Sequence, residues 1–315
     1  MKMGAAGIWF VHLGLIAALF GMQFLLSPYH ITNLARIMVL AVFAMGYNLA
    51  FGYTGLLSLG HALFFAAGMY AAGLSAQLWG VTAGPGLILG ILAGGMLAAA
   101  VGLLALRTAG VSFMIVTLMF AQAGYLTLLY FGAVTGGDEG FTLSPASRSL
   151  LGYDLSTDTP RFLAALAVFA VGLILSLAII RSPFGRTLVA MRENEDRSRM
   201  LGYNPFTVKL AALTLSGLYA GAAGAAWAVL FGYAGASFAT IQYSILPMLY
   251  VLLGGAGTIL GPFLGALLMF VLIEIATGLT SAYLFLVGAA LVALVLFAPN
   301  GILGTVRERW ARWLP

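Results

Sequence analysis

The sequence predicts an all-α, polytopic membrane protein, and three observations lead to that prediction. Hydrophobic residues make up 62% of the 315 residues, and only 7% of the residues are charged, compared with about 25% in an average soluble domain. Long apolar runs recur along the chain, close to the roughly 20 residues that one helical span requires. So few charged side chains cannot cover a water-facing surface. Intrinsic disorder is excluded as well, because it requires low hydrophobicity and high charge.

The apolar runs predict ten transmembrane helices. The runs lie at about residues 7–26, 33–51, 61–79, 84–106, 109–131, 161–180, 209–231, 244–261, 262–280 and 282–298. The eighth and ninth runs are divided at Gly261-Pro262, where one long kinked helix is the alternative. The first run lacks a clear cleavage site, so we interpret it as a span rather than a signal peptide.

The distribution of positive charges predicts the orientation of these helices. When the connection 181–209 is placed in the cytoplasm, eleven of the fourteen Lys and Arg residues lie inside, whereas Arg36, Arg148 and Arg161 lie outside. This asymmetry satisfies the positive-inside rule and places both termini in the cytoplasm. It also accounts for the net charge of +5 without nucleic-acid binding.

Two connections are long enough to carry structure of their own. Residues 132–160 face the outside in this orientation, and residues 181–209 face the cytoplasm. The other connections are short, so we expect no extramembrane domain with its own core. Residues 1–315 are therefore interpreted as a single membrane-spanning domain.

The composition excludes most enzymatic chemistry. The chain has no cysteine, three histidines and two lysines, Lys2 and Lys209. A P-loop requires a lysine directly after a glycine, and neither lysine follows one; no metalloprotease or serine-hydrolase motif is present either. We therefore expect no enzymatic activity, no cofactor and no metal. Transport or channel activity remains, because those functions depend on shaped passages more than on reactive groups.

A glycine-rich break interrupts the apolar pattern between the second and third spans. Unwound backbone at membrane depth is tolerated where it is buried in protein or lines a cavity, and its freed polar groups can then meet a solute. The alternative is an ordinary short loop at the cytoplasmic surface. The candidate substrate-path residues in this first break are Gly52, Tyr53, Thr54, Gly55, Ser58 and His61.

A second break lies between the eighth and ninth spans, at a corresponding place in the second half of the chain. Its candidate substrate-path residues are Gly254, Gly257 and Thr258. The correspondence suggests two pseudo-repeated halves with broken helices, as in many transporters. Close helix packing through small residues is the alternative interpretation.

Glu274 is the one acidic residue inside a predicted span. An intramembrane carboxylate is a functional candidate. Because Glu274 is near the predicted outer end of its span, the alternative is that its side chain simply reaches water.

The cytoplasmic connection contains a pattern typical of a charged helix. Ser182 followed by Pro183 is a helix-start signal, residues 187–201 read as one helix, and Gly202 can end it. This segment can offer a docking surface to a cytoplasmic partner. The alternative is a solvated loop whose arginines only obey the positive-inside rule.

Two acid–base pairs in this segment have helical spacing. Glu193 and Arg197, like Glu195 and Arg199, are four residues apart with the acid first, which is the more favourable orientation on a helix. Both pairs are therefore expected to support the predicted helix.

Several long motifs resemble those of one family, the permease subunits of branched-chain amino-acid ABC importers, in particular its LivM-like branch. The matching stretches are GYTGLLSLGHALFFAAGMYAA at 52–72, TGGDEG at 135–140, SPFGRTLVAMRENEDRSRMLGYN at 182–204, LLGGAGTILGPFLGALL at 252–268 and LFAPNGILG at 296–304, together with the span from Lys209 to Gly224.

The resemblance implies a bacterial inner-membrane permease that pairs with a sister permease, two ATPase subunits and a periplasmic binding protein. It also implies that the first break lines the substrate path and that residues 186–202 contact the ATPase. The corresponding coupling residues are Arg186, Arg192, Glu193, Asn194, Glu195, Arg197, Arg199 and Gly202.

Other functions remain open at this point. Permeases for urea or short-chain amides have similar motifs, and substrate choice rests largely with the binding protein. An ion-coupled secondary carrier is a further alternative, but Glu274 is its sole candidate for a buried ionisable group within the spans. A passive channel would need no docking helix.

Overall fold

The computed structural model describes residues 5–150, 152–280, 282–298 and 300–309. Lys2 and Arg312, which enter the charge count above, lie outside these ranges. The helices within them are α1 (Ala5–Met22), α2 (Pro28–Asn48), α3 (His61–Trp79), α4 (Ala83–Ala105), α5 (Val111–Tyr130), α6 (Gly132–Thr135), α7 (Asp158–Arg181), α8 (Pro183–Glu193), α9 (Glu195–Met200), α10 (Pro205–Phe231), α11 (Ile241–Gly254), α12 (Gly261–Leu279), α13 (Tyr283–Phe297) and α14 (Gly301–Arg309).

Each predicted apolar run overlaps one of these helices, and the fold is all-helical apart from short strands. Seven of the described helices are both long and apolar enough to cross a membrane: α2 with its extension to Tyr53, α3, α4, α5, α7, α10 and α12. Helices α1 and α11 are apolar but shorter, and α13 has 15 residues. The total of ten crossings therefore stays a prediction.

The division near residue 261 is confirmed as a break between two helices. Helix α11 ends at Gly254, and α12 begins only at Gly261, so a single kinked helix is excluded. The predicted eighth run, which continued to residue 261, was too long at its end. Gly255 has a φ of +118°, and such a backbone conformation cannot continue an α-helix.

Helices α2 and α10 form the centre of the bundle. Helix α10 packs against α3, α4 and α2, while α2 also contacts α7, α11 and α12. Small residues allow this close approach: a Cβ added to Gly94 of α4 would lie 2.6 Å from the carbonyl oxygen of Gly217 in α10. Large apolar side chains on α4 and α5, such as Met96 and Met119, are instead exposed, as expected of surfaces that face lipid.

The segment predicted to be cytoplasmic begins as the sequence predicts but is not one helix. The Ser182 hydroxyl accepts a hydrogen bond from the Gly185 amide at 3.3 Å and caps α8. The prediction of a single helix over 187–201 was wrong, because Asn194 is extended, with φ −160° and ψ 104°. Its side-chain oxygen accepts a bond from the Arg197 amide at 2.8 Å, so Asn194 caps a second helix, α9.

This interruption changes the ion pairs of the segment. The expected Glu193–Arg197 pair does not form among the described residues, since the two side chains belong to different helices. The Glu195–Arg199 pair is present at 3.8 Å. Glu195 also contacts the Lys209 ammonium at 2.5 Å, which ties α9 to the start of α10.

Short strands order the predicted outer loop. Strand β1 (Phe141–Thr142) pairs antiparallel with β4 (Tyr233–Ala234), and β2 (Ser149–Leu150) pairs with β3 (Tyr153–Asp154).

Buried Arg148 attaches this loop to the end of α10. Its guanidinium donates to the carbonyls of Val229 at 2.8 Å and Leu230 at 2.5 Å, which have no partner within the helix. Burial lowers the pKa of the Arg148 guanidinium from its ordinary value, while the helix terminus favours its positive charge.

Candidate functional site

The first break has a defined local structure rather than an irregular loop. Helix α2 widens into a π-helical turn over Leu49–Tyr53, and Gly55, with φ +77°, ends it. The Gly55 amide bonds to the Phe51 carbonyl at 2.9 Å, and the Leu56 amide bonds to the Ala50 carbonyl at 2.8 Å. These two nested bonds end the π-helical turn, and the positive φ at this point favours glycine at the position of Gly55.

The second break is also held by local hydrogen bonds. The Gly255 amide bonds to the Val251 carbonyl at 2.9 Å, and the Thr258 hydroxyl donates to the Gly255 carbonyl at 2.7 Å. Gly257 has a φ of +73°. A turn at 256–257 and a bend at 259–260 therefore connect α11 to α12.

The buried side-chain amide of Asn48 joins the two breaks. Its nitrogen donates to the Thr258 carbonyl at 2.8 Å, and its oxygen accepts from the Gly257 amide at 2.9 Å. Asn48 is 2% exposed, so water does not compete for these bonds. The fold therefore brings together the two segments that the sequence singled out separately.

Two arginines bind carbonyl groups of the joined breaks. Arg192, at the end of α8, donates to the Gly52 carbonyl, and its side chain also passes over Gly55. Arg307, in α14, donates to the Gly257 carbonyl at 3.0 Å. A cavity of about 370 Å³ lies between these two guanidinium groups and is also lined by Tyr53. The segment predicted to be cytoplasmic is thus directly bonded to the first break.

A larger cavity of about 790 Å³ opens beside the first break. Its walls come from the break at Thr54–Leu57, from the α4–α5 connection, from Met191–Glu195 and from the start of α10. Of the predicted substrate-path residues, Thr54 and Gly55 line this cavity.

Two further predicted residues, Ser58 and His61, are buried in helix packing. Both are 0% exposed. The His61 Nε2 atom lies 2.7 Å from the Ser216 hydroxyl of α10, and its ring packs edge-on against Tyr47. The break is therefore anchored to α10 in this conformation.

The predicted coupling residues divide between two surfaces. Arg192 faces the junction of the breaks, and Gly202, with φ +91°, ends the segment. The remaining coupling arginines are exposed along α8 and α9: Arg186, Arg197 and Arg199. Exposed charges of both signs therefore remain available on this face.

One family matches most of the chain, including most of its apolar helices and the charged segment of α8 and α9. The family described as permease components of branched-chain amino acid transport systems matches residues 29–298. The chain belongs to this family. It is a multi-pass membrane permease and not an enzyme.

Two groups of transport permeases are similar in sequence to this chain. It is 28% identical to the high-affinity branched-chain amino acid transport system permease protein LivM of Salmonella typhimurium and to that of Escherichia coli, over 86% of this chain and 69% of each relative. It is 32% identical to the autoinducer 2 import system permease protein LsrC of Photorhabdus laumondii, over 40% of each chain. No solved structure matches the permease.

Sequence reasoning missed three residues of the junction: Asn48, Ser216 and Arg307. Asn48 and Ser216 lie inside apolar runs, where a polar side chain is itself a signal because it requires a partner. Arg307 lies near the C-terminus, and its position in sequence does not indicate a contact 50 residues away.

We expect Asn48→Leu to destabilise the permease. The substitution leaves the Thr258 carbonyl and the Gly257 amide without their partner, at a cost of about 1–3 kcal/mol for each buried group. Thermal unfolding of the purified protein measures the loss. Ser75→Ala is the control, since Ser75 is equally buried but its hydroxyl bonds only within α3. Equal melting temperatures for the two variants would contradict the bridging role of Asn48.

Proposed function

We propose that this permease is the membrane subunit of an ABC importer for branched-chain amino acids. Its proposed partners are a sister permease, two cytoplasmic ATPase subunits and a periplasmic substrate-binding protein. The family match supports this proposal, as do the LivM relatives, which are named as branched-chain amino acid permeases. The hydrogen bond from Arg192 to the Gly52 carbonyl supports the proposed coupling mechanism, because it joins the proposed ATPase-contacting segment to a break in a membrane helix.

The proposed substrate path passes beside the two breaks. Their main-chain polar groups, together with Thr54 and Thr258, offer hydrogen bonds in an otherwise apolar bundle. In our proposal, ATPase closure moves α8 and α9, and Arg192 transmits the movement to the first break. Asn48 then carries it to the second break, so both respond together.

The proposed topology has ten spans in two pseudo-repeated halves, with both termini in the cytoplasm. Supporting this orientation, the exposed arginines of α8 and α9 lie at one end of the bundle. The N-terminal ends of α2 and α7, where Arg36 and Arg161 lie, are at the other end.

Cysteine labelling tests this orientation, because the native chain has no cysteine. Tyr153 is 69% exposed on the proposed outer side, and Met200 is 87% exposed on the proposed inner side. We expect an impermeant maleimide added to intact cells to label Tyr153→Cys, whereas Met200→Cys should react only after the membrane is opened. The reverse pattern would exclude the proposed orientation.

Reconstitution tests the proposed function. The permease is placed in liposomes with its sister permease, ATPase subunits and binding protein, and uptake of radiolabelled leucine is measured with and without ATP. We expect uptake only when ATP and the ATPase subunits are present. Uptake driven by an ion gradient without them would identify a secondary carrier instead, and equilibration without either would identify a channel.

The same preparation tests the proposed docking face. Reversal of two exposed charges, Arg197→Glu with Arg199→Glu, should weaken ATPase capture by about tenfold or more, because charge complementarity sets register and specificity at interfaces. Co-purification of the ATPase measures the effect. Arg181→Glu is the control, since Arg181 is exposed at the end of α7, before the coupling segment. Unchanged capture by the double variant would place the docking face elsewhere.

A further inference from the structure

A polar pocket lies at the opposite end of the bundle from the coupling segment. It is an open pocket of about 330 Å³, lined by Pro28, Tyr29, Thr32, Asn33, Arg36 and Asp158, of which Tyr29, Arg36 and Asp158 are exposed. These residues belong to the N-terminal ends of α2 and α7. The C-terminal ends of the same two helices adjoin the cytoplasmic segment, so the pocket faces the side from which an importer receives its substrate.

Arg36 is a positive charge within the predicted second span, without an anionic partner. Among the described residues it forms no ion pair and no hydrogen bond; its guanidinium carbon lies 5.6 Å from the centre of the Phe231 ring. Such a cation–π contact uses the face of the guanidinium and leaves its N–H donors available.

A second donor lies one turn away. The side chain of Asn33 is 7% exposed, and its amide nitrogen has no partner in the described part of the chain. A buried unsatisfied donor is unfavourable, so an acceptor beside it is stabilised. Arg36 and Asn33 together provide donors suited to a carboxylate, and arginine matches carboxylate geometry particularly well.

The pocket also presents a negative charge. Asp158 accepts bonds from Thr32 and Arg161, both at 3.3 Å and both to Oδ1. No described side chain bonds to its other oxygen, Oδ2. Thr32 and Arg36 are four residues apart on α2, or about 6 Å along the helix axis. A pocket lined by both Arg36 and Asp158 suits a small molecule that carries both an ammonium and a carboxylate group.

Glu274 supports the wall of this pocket. Its Oε1 atom accepts a hydrogen bond from the Tyr29 hydroxyl at 3.0 Å. The intramembrane carboxylate that the sequence singled out therefore positions a lining residue of the pocket.

We propose that this pocket is a receiving site for a zwitterionic α-amino acid, with Arg36 and Asn33 binding the carboxylate and Asp158 binding the ammonium group. The inference rests on the proposed import of amino acids. It adds the residues that recognise the ammonium and carboxylate groups common to all α-amino acids. The apolar side chain of the substrate is not recognised by these groups. Selection among amino acids is thereby left to the binding protein.

Ligand binding to the purified permease–ATPase complex, without the binding protein, tests this proposal. The probes are L-leucine, 4-methylpentanoate, which lacks the ammonium group, and isoamylamine, which lacks the carboxylate. The wild-type complex should prefer leucine to both analogues. Arg36→Gln should weaken leucine binding by about tenfold, as expected for the loss of a charge-assisted hydrogen bond, and should abolish the preference over isoamylamine.

Asp158→Asn should abolish the preference over 4-methylpentanoate instead. Arg181→Gln, a matched neutralisation at the other end of α7, should leave all three affinities unchanged. These opposite changes in selectivity would not arise from general destabilisation.

Two results would overturn the proposal: no leucine binding by the wild-type complex, or selectivity that neither pocket variant alters. Loss of binding-protein capture with unchanged leucine binding would also overturn it and would identify a protein-docking surface. The proposed function is judged separately, by ATP-dependent leucine uptake of the wild-type complex in liposomes. If the wild-type complex imports leucine but the pocket variants bind with unaltered selectivity, the pocket proposal is rejected and the proposed function is kept.

Discussion

The side-chain amide of Asn48 holds together two stretches of backbone that lack the hydrogen bonds of a helix. Lipid cannot satisfy free amide and carbonyl groups, so a broken helix at membrane depth needs partners from the protein. Asn48 supplies one donor and one acceptor to the second break while belonging to the helix that leads into the first. Arg192 and Arg307 bind further carbonyls of the two breaks. Each break is thus stabilised by the other and by the arginines of α8 and α14.

We propose that this arrangement connects stability with transport. The bonds that satisfy the breaks also tie them to α8 and α14, so in our proposal a movement of α8 changes the hydrogen-bond partners of the breaks. Main-chain hydrogen bonds can be exchanged at small net cost, since each contributes only about 0.5–1.5 kcal/mol to stability. In our proposal the permease moves by exchanging such bonds, while the closely packed α4–α10 interface stays fixed.

The features of the fold that depend only on the residues of one segment could be predicted from the sequence. Apolar runs located the helices, because spanning a membrane requires length and apolarity. Ser182 and Gly202 were recognised as helix ends by their local chemistry. The prediction of a single helix in this segment was wrong because Asn194, which favours an N-cap over a helix interior, was not recognised as the cap of a new helix. The contact of Asn48 with a segment about 210 residues away depends on packing of the whole bundle, which no local pattern encodes.

The ratio of leucine imported to ATP hydrolysed, measured in liposomes that contain the Arg192→Met permease, tests the central claim most directly. Methionine retains much of the apolar length of the side chain but cannot bind the Gly52 carbonyl. If Arg192 links the cytoplasmic segment to the first break, the ATPase should still co-purify and hydrolyse ATP, while the transport ratio should fall by about tenfold, as for the loss of one charge-assisted hydrogen bond. A wild-type ratio in this variant would contradict the account.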